Sequence, residues 1–265
     1  MLVPALTAGA APRADARGAT LVHETPLAPA GAGEMVVALT FDDGPHPRYT
    51  PAILDVLARY GVQATFFALG REAERHPDLV QRIVAEGHAI ANHTWDHPDL
   101  RTLDEQQFAH QVDHTNDVLH SISGHRPICA RPPYGRSDPN VTSRLAARGL
   151  TNVVWSIDSR DFAKPGAGAI VDSALDGLHP GAIILLHDGG GNRDQTIEAL
   201  PTIIERIQAA GHRIAPICRA DPNAPAPPPP APVAPEPIAP PAPVEDPDPH
   251  PPAGAMTVAE GLQHG

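Results

Sequence analysis

No apolar run in this sequence reaches the roughly 18 residues that a membrane-spanning helix requires, so no span is expected. Cysteine is nearly missing. Cys129 and Cys218 form no Cys-x-x-Cys pair, which removes zinc-finger and thioredoxin-like motifs; sequence alone does not bring the two together, and a single bridge is left open. Basic residues are outnumbered, with 19 Lys and Arg against 31 Asp and Glu for a formal charge of -12. No Lys/Arg cluster is dense enough to neutralise a row of phosphates, which excludes nucleic acid as a partner. Much of the acidity reads as a solvated surface.

Proline is plentiful but confined. Nearly half of the 33 prolines fall between Ala220 and Pro252, where no apolar periodicity survives and no core can form. Periodicity is continuous from Met35 to Ile217, so the expected organisation is an N-terminal extension (1–33), one folded domain (34–218) and an extended proline-rich tail (219–265). Ala14-Asp15-Ala16 resembles a signal-peptidase site, yet the preceding residues carry no basic n-region. A signal-peptide remnant and a plain extension both remain open.

Inside the domain strands alternate with helices. β-prone runs are Met35–Phe41, Ala64–Leu69, His88–Asn92, a short fourth before Arg131, Asn152–Ile157, Ala182–Leu186 and Arg213–Ile217. Helices are predicted at Pro51–Tyr60 with Thr50 as N-cap and Gly61 as stop, Pro77–Glu86, a long one capped by Thr102 and Glu105, Pro139–Arg148, Ala169–Leu178 and Gln195–Ala210. This order implies a parallel sheet with helices outside. Polar residues able to do chemistry stand at the C-terminal ends of five strands, which favours an α/β fold of the barrel type, a distorted (β/α)7 barrel, because barrel strand ends converge on one face.

Two constellations carry the chemistry. Asp42 and Asp43 are adjacent carboxylates at a strand end, costly to leave ionised together unless one binds a cation and the other serves as a base. His93 and His97, at i and i+4, can present both imidazoles to one ion from a helical turn. Joined to Asp43 they make the two-histidine, one-carboxylate set that leaves coordination positions open. His110, His114 and His120 have no carboxylate or strand-end partner and read as surface residues.

With these residues in place the chain resembles the polysaccharide deacetylase (NodB-like) superfamily, the largest part of carbohydrate esterase family four. Thr40-Phe41-Asp42-Asp43-Gly44-Pro45 is similar to the first of its five motifs and His93-Thr94-Trp95-Asp96-His97 to the second. Arg131-Pro132-Pro133-Tyr134-Gly135, Asp158-Ser159-Arg160-Asp161-Phe162 and Leu185-Leu186-His187-Asp188 resemble the third, fourth and fifth. The resemblance implies Asp42 as general base held by Arg131, Asp43, His93 and His97 as metal ligands, and His187 as general acid whose protonation Asp161 sets. It also implies the backbone N–H of Tyr134 as an oxyanion donor, Leu185 and Phe162 as walls of the acetyl pocket, and Pro132 beside them. Phe162 stands where the family usually has tryptophan. Trp95 offers either a face for a sugar ring or a packing surface against a helix.

The activity so implied is hydrolysis of the acetamide of N-acetylglucosamine-type glycans by a secreted or wall-associated monomer. One divalent metal is expected, zinc first, with cobalt and nickel also suited to the donor set. Peptidoglycan is the first substrate class and chitin oligomers the second. Removal of O-acetyl groups from acetylxylan, and glycan binding without catalysis, are the alternatives.

Overall fold

The structure, a computed structural model, describes residues 21–22 and 35–219. The expectations for the remainder of the N-terminal extension and for the tail beyond Arg219 lie outside those residues. In chain order the elements are β1 (Leu21–Val22), β2 (Met35–Asp42), α1 (Tyr49–Tyr60), β3 (Thr65–Ala68), α2 (Gly70–Arg75), α3 (Pro77–Ala85) and β4 (Ala89–Asn92). They continue with α4 (Glu105–Ala109), a π-turn at His110–His114, α5 (Thr115–Ser123), β5 (Cys129–Ala130), α6 (Pro139–Ala146), β6 (Thr151–Val153) and β7 (Ile157–Asp158). Last come α7 (Ala167–Leu175), β8 (Ile183–His187), α8 (Asp194–Ala209) and β9 (His212–Ile214).

All the strand pairs are parallel, in the order β1-β6-β5-β4-β3-β2-β8-β7, with β9 against the first half of β2. The sheet curls into a distorted barrel, as the alternation of elements implied. β2 is central and buried along nearly its whole length, which is why it reads as an unbroken apolar run rather than an alternating one. Leu39, Phe41, Phe66, Ile184 and Leu186 pack with Ile53, Leu57, Ile83, Leu200 and Ile203 of the surrounding helices, all at 1 % exposure or less. Each such side chain contributes roughly 1.5–3 kcal/mol on leaving water.

Several local expectations are corrected. The run Asn152–Ile157 is not one strand: β6 stays with β5, β7 pairs with β8 at the other edge, and Val154–Ser156 spans the division. Among the described residues no ladder joins β7 to β1 or β6, so the barrel is open at this seam. The extension before residue 34 supplies β1, which pairs with β6. Thr50 lies inside α1 rather than capping it, because its hydroxyl donates to Asp188 Oδ2 at 2.5 Å. The cap of α4 is Asp104, which forms a capping box with Gln107, two residues later than Thr102 and Glu105 would place it.

After β9 the chain turns into the base of the barrel. Ala215 N–H donates to the Val37 carbonyl, and Ile217 exchanges two 2.9 Å hydrogen bonds with the Thr65 hydroxyl. Cys218 then bonds covalently to Cys129 of β5 across a sequence separation of 89 residues, with Cα atoms 5.6 Å apart. Ile217 and the bridge fill the space between Ala38, Phe67, Ala91 and Ile183. Replacing both cysteines by alanine should lower the unfolding free energy by about 2–5 kcal/mol. Urea denaturation reads this directly; an unchanged midpoint would show that the hydrogen bonds to Thr65 close the base unaided.

Candidate active site

Each strand that ends in a polar motif delivers it to the same rim. Asp42 is the last residue of β2 and 3 % exposed. Asp43 follows in the left-handed region, φ 73°, which swings its carboxylate away from the strand axis. The approach of the loop after β8 is very close here: a Cβ on Gly190 would overlap the Asp43 carboxylate, and one on Gly189 its backbone carbonyl. Glycine is required at both positions for that reason.

β4 delivers His93, and His97 follows from a loop rather than the helical turn expected for an i, i+4 pair. Thr94 and His97 both adopt positive φ, 73° and 75°. Three side chains stabilise this strained path. Asn92 Oδ1 accepts from Thr94 N–H at 2.8 Å, Thr94 Oγ1 accepts from His97 N–H at 3.1 Å, and Gln111 Oε1 accepts from the N–H of Trp95 and Asp96 at 2.9 and 3.2 Å. Gln111 belongs to the π-turn and also donates to Asp96 Oδ1 at 2.6 Å.

The result is a convergent donor set. Nε2 of His93 and Nε2 of His97 each lie 3.4 Å from Asp43 Oδ1. That oxygen is buried and has no hydrogen-bond partner, a costly state for a carboxylate unless something else satisfies it. Two donors at the zinc-like distance of about 2.0–2.1 Å from one ion, at a tetrahedral angle, stand about 3.3 Å apart. The observed spacing therefore fits a metal. His93 Nδ1–H donates to the Arg131 carbonyl at 2.7 Å, which fixes the tautomer and leaves Nε2 with its lone pair free. Burial works against the Asp43 charge, but contact with His93 and the charges of His93, His187 and His97 hold its pKa far below the usual carboxylate value.

Beside this set stands Asp42. Arg131, wholly buried, donates from Nη1 to Asp42 Oδ1 at 2.7 Å and to Thr40 Oγ1 at 2.9 Å, with its guanidinium 4.0 Å from the Phe67 ring centroid. Asp42 Oδ2 is left 3.7 Å from His93 Nε2. Across the cavity, His187 Nδ1–H donates to Asp161 Oδ1 at 2.6 Å. Asp161 Oδ2 accepts from His187 N–H and from the Thr196 hydroxyl, at 2.9 and 2.8 Å. Burial pushes the His187 pKa down, and the hydrogen bond and charge of Asp161 outweigh it, leaving the imidazole above its ordinary value.

Asp42, Asp43, His93, His97 and His187 line one open cavity of about 640 Å³, with Leu185, Tyr134 and Phe162 in its walls, while Arg131 and Asp161 stand behind it. Tyr134 and Phe162 are 61 % and 53 % exposed, so the walls present aromatic faces to solvent. Pro132 and Trp95 are not among the lining residues. Trp95 instead packs over Gly70 and against the His114 ring, 4.4 Å between centroids. Leu69, Arg71, Trp155, Asp158 and Arg193 also line the cavity and are absent from the set expected from sequence. The glycine run that leads to Arg193 and the place of Asp158 at the head of the fourth motif are the visible signals.

Asp188, next to the candidate acid, is fully buried and accepts from Gly44 N–H and Thr50 Oγ1 at 3.1 and 2.5 Å. Burial raises its pKa to about 7, with Thr50 opposing and the charges of Asp43 and Asp42 adding to the rise. It ties the turn after Asp43 to the strand that carries His187.

Comparison with known proteins gives a consistent picture. The family model described as Polysaccharide deacetylase matches residues 30–153. A chitooligosaccharide deacetylase of Rhizobium leguminosarum bv. trifolii is 43% identical over 201 residues, covering 72% of this chain and 94% of the relative. A peptidoglycan-N-acetylglucosamine deacetylase of Bacillus cereus is 40% identical over 178 residues, 67% of this chain and 65% of the relative. Among solved structures, a family 4 carbohydrate esterase from Streptomyces lividans in complex with acetate superimposes with a TM-score of 0.65 at 34% identity, covering 69% of this chain and 93% of that one.

His93→Ala and Asp43→Ala should each abolish stoichiometric uptake of a divalent metal in equilibrium dialysis, and His114→Ala should leave uptake unchanged. Retention of metal by either of the first two variants would place the ion elsewhere.

Proposed function

The chain belongs to the polysaccharide deacetylase family, whose enzymes are metal-dependent, and we propose that it releases acetate from the N-acetylglucosamine units of peptidoglycan, with chitin oligomers as the second substrate class. The observation that carries this reading is the pairing of the Asp43-His93-His97 donor set with an uncoordinated carboxylate, Asp42, fixed by Arg131. A glycan-binding domain without catalysis would have no use for either that carboxylate or the His187–Asp161 pair. A cell-wall polymer suits a cavity that is open and flanked by exposed aromatic rings. Export to the wall is supported by the Cys129–Cys218 bridge, since such bonds persist in oxidising compartments.

An amide is a weak electrophile with a poor leaving group, so hydrolysis needs an activated water, stabilisation of the tetrahedral oxygen and a proton for nitrogen. A divalent cation held by Asp43, His93 and His97, zinc first and cobalt or nickel also compatible, supplies Lewis-acid polarisation and lowers the pKa of water. Asp42 takes the proton from that water, and Arg131 holds its carboxylate in one rotamer. The Tyr134 backbone N–H, in a left-handed turn with φ 60°, is the donor assigned to the developing oxyanion. Leu185 and Phe162 enclose the methyl group. His187, kept as imidazolium by Asp161, gives its proton to the departing amine.

Asp42→Asn is destabilised by the loss of Arg131's counter-ion, and, measured per folded, metal-loaded molecule, should lose about 10²–10⁴ in kcat; near-normal turnover would remove Asp42 from the role of base. Because Asp161 holds the His187 pKa above its ordinary value, activity that needs the imidazolium persists as pH rises and fails only above the raised pKa. Asp161→Asn should move this basic limb to lower pH, and a pH–rate profile in the same position would refute the relay. Mass spectrometry of peptidoglycan, chitin oligomers and acetylxylan after incubation separates amide from ester substrates. Chelation should abolish acetate release from whichever is cleaved, with added divalent metal restoring it.

A further inference from the structure

One charged group in the cavity has no part in the chemistry above. Arg193 occupies the N-cap position of α8, lines the cavity with Leu185, Phe162 and His187, and is only 4 % exposed. Its Nε donates to the Gly189 carbonyl at 2.6 Å. Neither terminal amino group makes a hydrogen bond, and no carboxylate pairs with the side chain, among the described residues.

The other buried arginine and two that are largely covered are not left so. Arg131 meets Asp42 at 2.7 Å, Arg144 meets Glu105 at 2.8 Å, and Arg148 meets Glu105 and Asp113 at 2.5 and 2.8 Å. Burying a cation without a counter-ion is unfavourable, so an exception calls for a partner supplied from outside the chain. Asp161 feels the charge of Arg193 but makes no ion pair with it; its hydrogen bonds go to His187 and Thr196. The loop beside it is bare: Gly190 and Gly191 bear no side chains, and a Cβ on Gly191 would come into ordinary van der Waals contact with Arg193 Nη2, at 3.7 Å.

We propose that Arg193 is a carboxylate-binding residue of the active-site cavity. A planar guanidinium with both terminal amino groups free is matched to the two oxygens of a carboxylate. Two carboxylates arise in a deacetylase of this kind, and in that respect the inference rests on the function proposed above. One is the acetate that hydrolysis leaves in the cavity; the other is carried by an acidic glycan, such as the free lactyl group on muramic units that bear no peptide. The first makes Arg193 a product-release residue and the second a specificity-determining one.

The test compares the metal-loaded wild type with Arg193→Met and Arg193→Lys. Acetic-acid-type inhibition is read as the Ki of sodium acetate on neutral chitin oligomers. Specificity is read as the ratio of kcat/KM for peptidoglycan oligomers with free carboxylates to that for the same oligomers methyl-esterified. Loss of a charge-assisted bond predicts about a tenfold or larger change in Arg193→Met, in the acetate Ki for the product source or in the ratio for the glycan source, with partial recovery in Arg193→Lys. Because a ratio and a Ki are insensitive to a uniform loss of active enzyme, damage to the Gly189 loop does not imitate either result. If both quantities stay within about twofold of wild type while kcat/KM falls equally on all substrates, Arg193 only fastens Gly189 and the inference is overturned. Should the wild type release acetate from no glycan, the deacetylase reading itself fails; acetate binding by calorimetry in wild type and Arg193→Met still decides whether Arg193 holds a carboxylate.

Discussion

A single buried guanidinium organises the reactive end of this barrel. Arg131 reaches Asp42 and Thr40 on β2 and, at 3.3 Å each, the carbonyls of Val153 and Val154, where the strand after β5 breaks. Its own carbonyl receives His93 Nδ1–H. Asp42, the candidate metal ligand His93 and the seam of the barrel therefore share one residue. Loss of either member of a buried ion pair typically costs about 3–5 kcal/mol because the other is left uncompensated. Loss of the Arg131 side chain would also free the carbonyls of Val153 and Val154, so stability and the position of Asp42 are not separable here.

What the sequence disclosed, and what it withheld, follows from distance along the chain. The motifs at Asp42-Asp43, His93–His97 and His187 were legible because each directly continues a strand, and parallel strands bring their C-terminal ends to one face. The parts that depend on neighbours remote in sequence were not. Thr50 looks like a cap by composition, but its hydroxyl is claimed by Asp188, 138 residues away. Residues Asn152–Ile157 look like one strand by β-propensity, yet the carbonyls that a continuous ladder would satisfy are met by Arg131, which permits the break and turns Trp155 into the cavity. The Cys129–Cys218 bridge and Arg193 belong to the same category, since each draws its meaning from a neighbour that no local pattern announces.

The donor set is held as carefully as it is chosen. Gln111 and Asn92 satisfy the backbone of the His93–His97 loop, and both are anchored around the π-turn, an irregularity of the kind that recurs at functional sites. Asp188 does the same for the turn after Asp43. The metal-binding atoms thus sit on short, strained segments whose polar groups are almost all committed to the scaffold, and Asp43 Oδ1 is the conspicuous exception.

Asp43 and His97 share a property beyond their donor atoms: both sit at φ values, 73° and 75°, that Asp, Asn and His tolerate better than most residues with a side chain. Ligand type and backbone conformation are therefore selected together. A designer who wished to retune the centre for a softer ion by placing another donor at 97 would have to relieve the main chain as well as satisfy the metal. His93, which carries no such backbone restriction, is the more forgiving place to begin.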